Sequence, residues 1–193
     1  MNKLIANAAA AALSLAALST AATAVDVTDK VYVPLGGAGE IAVIDPQKDA
    51  VASKITGLPA VHGLAGTPDG KFLAAGSHAE REPGGPMPQN PAAMSEEDHA
   101  AHHRARPVGA QDAGDMVGTV AILSAPDGAV MRTIDVAGAA HHVAVRPAGP
   151  TPVVTPPGKH SISALDLRSY QVIATLLPGP LPTSAAFHPH RPA

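Results

Sequence analysis

Cysteine and tryptophan are both absent from this 193-residue chain, and aromatic residues of any kind are few. Without cysteine the chain cannot form disulfides, Cys-ligated zinc sites, iron–sulfur clusters or a thiol nucleophile, and it has no C-x-x-C-H motif for covalent haem. The core must therefore be built from smaller aliphatic side chains. The four aromatic residues are Tyr32, Phe72, Tyr170 and Phe187.

Two further absences narrow the function. The formal net charge is −3, and no basic block exceeds the Arg104 and Arg106 pair, so we expect no nucleic-acid partner. No G-x-S-x-G motif occurs, which argues against a serine hydrolase of the nucleophile-elbow type.

Residues 1–24 have the pattern of an export signal. Lys3 supplies a short positive start, residues 4–18 are apolar, and Ala22-Thr23-Ala24 resembles a signal-peptidase site. The apolar stretch is shorter than the ~20 residues that a membrane span needs. We expect a periplasmic or secreted protein whose mature chain starts near Val25, with no membrane span after cleavage.

The rest of the chain is punctuated by 20 prolines and 18 glycines, which favours many short strands over long helices. Three segments share an alternating apolar strand, a polar turn and a second apolar strand, which is a hairpin signal. They are GEIAVIDPQKDAVASKI (39–55), GTVAILSAPDGAVMRTI (118–134) and HSISALDLRSYQVIATL (160–176).

A second element follows each hairpin, and Pro68, Pro147 and Pro189 mark its turn. It reads VHGLAGTPDGKFLAAGS at 61–77 and HHVAVRPAGPTPVVTPP at 141–157, and SAAFHPHRP at 184–192 begins a third copy. The period of 42 residues from Val120 to Ile162 is typical of four-stranded propeller blades. The predicted strands are 61–67, 71–77, 118–124 and 130–136 in one blade, and 142–146, 151–156, 160–167 and 171–177 in the next.

The segments KVYVPLGGAGEIAVIDPQ and VHGLAGTPDGKFLAAGS resemble the repeats of YVTN-type β-propellers, a family related to cytochrome d1-like propellers. The resemblance covers most of residues 30–189. It implies an all-β fold of four-stranded blades, of which about two and a half are present. Because closed propellers usually have four to eight blades, we expect either a fragment whose missing half lies in a longer product or closure through a homo-oligomer.

The predicted organisation has four parts: a signal peptide at 1–24, propeller repeats at 25–78, an insertion at 79–117 and further repeats at 118–193. Asp45 and Asp166 recur at one repeat position, where we expect them to cap turns. His62 and His141 are also equivalent, and both should lie at the start of an innermost strand. We therefore predict them as cofactor-binding residues on the face where His78, His160 and the insertion also fall.

The insertion contains MSEEDHAAHHRAR at 94–106, for which a short helix capped by Ser95 is predicted. On that helix His99, His102 and His103 share one side, a spacing that can chelate a metal ion. Met94 with imidazole favours copper, whereas Asp98 with imidazole favours zinc or nickel. A spacer or partner-docking role for the insertion is the alternative.

Three functions follow as hypotheses. The first is an exported propeller-type binding protein that holds copper, zinc or a metal cofactor at a histidine-rich face. The second is a non-catalytic protein-interaction scaffold. The third is a fragment of a periplasmic redox enzyme subunit, with His62 or His141 near the cofactor. No motif in the sequence demonstrates catalysis.

Overall fold

The computed structural model describes residues 30–86 and 115–188, and these residues form an all-β structure. Its strands alternate with turns rich in Pro, Asp and Gly, as the sequence predicted. In chain order they are β1 (Val31–Leu35), β2 (Glu40–Asp45), β3 (Ala50–Ile55), β4 (Val61–Gly66), β5 (Phe72–Ser77), β6 (Val117–Ser124), β7 (Val130–Ala137), β8 (His142–Val145), β9 (Pro152–Thr155), β10 (Ile162–Asp166) and β11 (Gln171–Leu176).

The strands make three antiparallel sheets, each following the chain order of its strands. The first sheet has three strands, β1-β2-β3, and the other two have four, β4-β5-β6-β7 and β8-β9-β10-β11. Within the described ranges the sheets form no closed barrel. These described ranges contain no helix with the length and hydropathy that a membrane span requires.

The predicted all-β fold is confirmed, and each predicted strand of the two four-stranded sheets lies within two residues of an observed one. The largest difference concerns β10, which was predicted from residue 160. A 3₁₀ turn at Pro157–Lys159 precedes it, and His160 adopts a left-handed φ of 53° that ends this turn. The strand therefore begins at Ile162.

Strand β6 holds the three sheets together, because it is buried on both faces. Val120 and Ile122 belong to a cluster that includes Val143, Val154 and other residues of the third sheet. The alternate residue Leu123 belongs to a second cluster, with Ile41 of the first sheet as a further member. The middle sheet therefore packs between the other two, and period-two alternation decides which neighbour each side chain meets.

Inner and outer strands differ in burial. The first strands β4 and β8 lie against one another, and β1 lies against β4, so the inner edges of the sheets meet. The last strands are solvated: every residue of β11 is exposed, and β3 and β7 are mostly exposed.

The predicted insertion leaves and rejoins the second sheet at one point. Arg81 and Val117 exchange two backbone hydrogen bonds of 2.9 Å, which close the base of this segment. The Arg81 guanidinium pairs with the Asp135 carboxylate of β7 at 2.6 Å. The Glu80 carboxylate accepts a hydrogen bond of 2.9 Å from the Ala139 amide. The base is therefore fixed to β6, β7 and the segment that follows β7.

Aspartate side chains cap the turns between strands. Asp45 accepts from the Gln47 amide at 3.0 Å, and Asp166 accepts from the Arg168 amide at 3.1 Å, at equivalent turns. The capping role predicted for these two residues is confirmed. In Asp166, the Arg168 amide and then the Ser169 hydroxyl hold the pKa of the carboxyl below its ordinary value. Hydrogen bonds likewise lower the pKa of three other turn residues, Asp45, Asp69 and Asp127.

The lowered pKa values predict acid sensitivity. Each group stabilises the fold fully above the unfolded-state pKa of about 3.9, and its contribution is lost as pH falls through its lower folded-state pKa. We expect Asp166→Asn to lower the urea midpoint at pH 6, with the difference from wild type shrinking below about pH 4. Exposed Asp49→Asn in the β2–β3 turn is the control. A difference that stays constant from pH 6 to pH 3 would contradict the assignment.

Candidate metal centre

Three histidine side chains from separate segments meet beside the inner strands. His62 lies in β4, His78 directly follows β5, and His141 directly precedes β8. The ring centroids of His62 and His78 are 4.2 Å apart, those of His62 and His141 are 4.7 Å apart, and those of His78 and His141 are 4.8 Å apart. All three residues are half-buried. We call them the histidine trio.

A row of glycines across the second sheet allows this meeting. A methyl group built at Gly63 would lie 2.7 Å from the His141 carbonyl oxygen, and one at Gly76 would lie 2.6 Å from that of Ala140. A methyl group at Gly118 would collide with the Gly138 carbonyl oxygen. Because these three positions lack Cβ atoms, the segment 138–141 can lie directly on the sheet.

Backbone hydrogen bonds fix the same segments in place. The His78 amide donates to the Ala60 carbonyl at 2.9 Å, and the Ala140 amide donates to the Ser77 carbonyl at 2.9 Å. The hydroxyl of buried Ser77 donates to the Pro59 carbonyl at 2.7 Å. The chain before β4, the end of β5 and the chain before β8 are thus joined by backbone contacts rather than by side-chain packing alone.

The His62 ring has a defined tautomer. Its Nδ1 atom lies 3.1 Å from the His141 carbonyl oxygen. A carbonyl oxygen only accepts, so Nδ1 must carry the proton and donate it. In the neutral ring Nε2 then keeps its lone pair. Metal-binding histidines commonly have this arrangement, in which one ring nitrogen is held by a backbone carbonyl and the other is the ligand.

The geometry is close to that of a three-histidine site. One ring nitrogen from each member can be chosen so that all three lie within 4.8 Å of one another. Tetrahedral zinc with bonds of 2.0–2.1 Å places its ligand nitrogens about 3.4 Å apart. The ligand nitrogens therefore need to approach one another by up to about 1.4 Å to bind an ion.

His160, which the sequence places on the same face, and His142, which directly follows His141, have different contacts. His160 Nδ1 accepts a hydrogen bond from the Leu181 amide at 3.0 Å, and His142 Nδ1 accepts one from the Ala185 amide at 3.4 Å. Both therefore contact the segment after β11. Thr183, the third repeat counterpart of His62 and His141, accepts a hydrogen bond through its carbonyl from the Thr155 hydroxyl at 3.3 Å.

The structure brings together the two predicted cofactor-binding residues, His62 and His141, and adds His78. The repeat counterpart of His78 is Pro157, so repetition places His78 on this face without assigning it to the site. The signal for His78 is its place directly after β5, because in the antiparallel pair the end of β5 lies beside the start of β4. The predicted insertion ligands lie outside the described residues, and their role stays a prediction; they are Met94, Asp98, His99, His102 and His103.

No protein-family model matches the sequence, and no curated protein does. Among solved structures, Kuenenia stuttgartiensis hydrazine synthase, a propeller-containing protein, is similar with a TM-score of 0.56 and 14% identity. The match covers 80% of this chain and 34% of the hydrazine synthase chain, so this chain spans about a third of that neighbour's length. Such low identity shows a likeness of fold alone, and the YVTN resemblance stays a prediction.

The glycine row yields a stability prediction. We expect Gly63→Ala to destabilise the fold by about 1–3 kcal/mol, because the new methyl group overlaps the chain before β8. Gly149→Ala is the matched control, since a methyl group there meets no atom within 4 Å. Urea unfolding monitored by circular dichroism measures both variants. Equal midpoints for the two would contradict the close approach of β4 to the His141 backbone.

Proposed function

We propose that this chain is an exported propeller-type protein that binds a transition metal ion, copper or zinc, through the histidine trio. The observation that carries the proposal is the hydrogen bond from His62 Nδ1 to the His141 carbonyl. It leaves Nε2 of His62 as a lone-pair donor beside two further imidazoles. Neutral imidazole suits copper and zinc, whereas magnesium and calcium prefer oxygen ligands.

Support for the propeller part of the proposal comes from sheet order and repeats. Two successive sheets have four antiparallel strands in chain order, their inner strands are neighbours, and a solved structure that resembles the chain contains a propeller. The first sheet has three strands, which is compatible with a blade completed by another segment. Export to the periplasm is proposed from residues 1–24 alone.

Metal uptake by variants of the mature chain tests the proposal. We expect one tightly bound copper or zinc ion per chain, and we expect His78→Ala to weaken its binding by about 100-fold or more, since even loss of an outer-shell partner costs 10–100-fold. Native mass spectrometry and a competitive chelator titration measure stoichiometry and affinity. The exposed His188→Ala variant is the matched control and should bind as wild type does.

The same experiment separates the trio from the insertion. The triple variant H99A/H102A/H103A should retain the tight ion, whereas H62A/H141A should lose it. Retention of the ion by H62A/H141A would contradict the proposal. Loss of the ion by the insertion variant alone would assign binding to residues 94–106 instead.

A non-catalytic interaction scaffold is the second candidate, and the outer strand β11 favours it. Ile173 is 59% exposed, Leu176 is 61% exposed and Leu177 is 78% exposed, so apolar side chains continue along one edge of the molecule. Crosslinking with recovery of a defined partner, independent of metal, supports this candidate.

The third hypothesis, a fragment of a redox enzyme subunit, stays a prediction, and visible absorbance of protein purified from its native host tests it.

A further inference from the structure

Within the described ranges, no carboxylate joins the histidine trio as a candidate ligand, and this determines the charge of a bound metal. Among the described residues, the group that could surround an ion consists of three imidazoles and contains no carboxylate. Neutral imidazoles donate lone pairs but contribute no charge. With these three imidazoles as its protein ligands, a bound divalent ion would keep a formal charge of +2, together with at least one open coordination position.

Two acidic side chains close to the trio in sequence have other partners. The Glu80 carboxylate, two residues beyond His78, accepts from the Ala139 amide. Asp135, on β7, pairs with Arg81 at 2.6 Å. The contact that orients His62 is a neutral carbonyl rather than a carboxylate. These acids are thus held in place by structural contacts.

Partial burial increases the effect of the uncompensated charge. The three histidines are half-buried, and the Ala60, Ser77 and Ala140 residues behind them are buried. Charge interactions are stronger in such surroundings than in bulk water, because the effective dielectric constant is lower.

Resting on the metal site proposed above, we propose that the metal-loaded trio binds a small anion as its exogenous ligand. The anion completes the coordination left open by three neutral ligands and offsets part of the metal charge. Azide serves as the probe, since its binding to Cu²⁺ gives a charge-transfer absorption band. The shared chemistry is that of a small anionic donor, and competition by acetate or phosphate then ranks the physiological alternatives.

The experiment uses the mature H99A/H102A/H103A chain, so that copper at residues 94–106 does not contribute to the signal. Copper binding is measured first, without azide, and azide is then titrated into the loaded protein. We expect a saturable band with one azide per trio. The band should be absent from the same chain carrying H62A/H141A.

A matched pair of variants tests the charge argument. Ala79 follows His78 and is half-buried, and its side chain is not part of the trio. Ala79→Glu adds a negative charge near the metal, whereas Ala79→Gln adds the same bulk without charge. At low ionic strength we expect azide to bind the Glu variant about fivefold more weakly than the Gln variant.

The outcomes are distinguishable. Loss of tight copper binding from the trio, seen before azide is added, would end the proposed function and this inference with it. Tight copper with no azide band would overturn only the inference. Equal azide affinities in the Glu and Gln variants would also overturn it, because the anion would then not respond to the charge at the site.

Discussion

Direct contact between backbones is the constraint on which this structure depends. The chain before β8 lies on the second sheet only because Gly63, Gly76 and Gly118 present no side chain to it. With few aromatic residues, the core cannot gain much area per side chain, so it gains contact through close approach. The same approach brings three imidazoles from distant parts of the sequence within contact of one another. Fold and site thus share one cause.

Much of the fold could be predicted from the sequence, because the strands alternate with period two and their turns carry Pro, Asp and Gly. The turns at Asp45 and Asp166 were predictable because an aspartate oxygen at that repeat position faces the amides two residues on. The start of β10 was not, because nothing local shows that His160 adopts a left-handed φ. Such a choice is made by tertiary contacts, including the Leu181 amide that donates to its ring.

The site was predictable only in part. Repetition identified His62 and His141 as equivalent, but equivalence within a repeat shows where a residue lies and not what it touches. His78 has no equivalent histidine in the repeat, so it could be found only from the topology that brings the end of β5 beside β4. The distances between rings depend on sheet-to-sheet spacing. That spacing is set by glycines whose importance no local pattern indicates.

The paired hydrogen bonds between Arg81 and Val117 have a topological consequence. They bring the two ends of a 35-residue excursion, residues 82–116, to the separation of neighbouring strands. In the sheet, β5 and β6 therefore pair as they would across a short hairpin. For a loop at such a position, the closure entropy grows only with the logarithm of the loop length. Segments of different length can occupy this position at a cost of a few tenths of a kcal/mol in closure entropy. The junction between β5 and β6 is thus a position where the inserted sequence can change while the sheets keep their register.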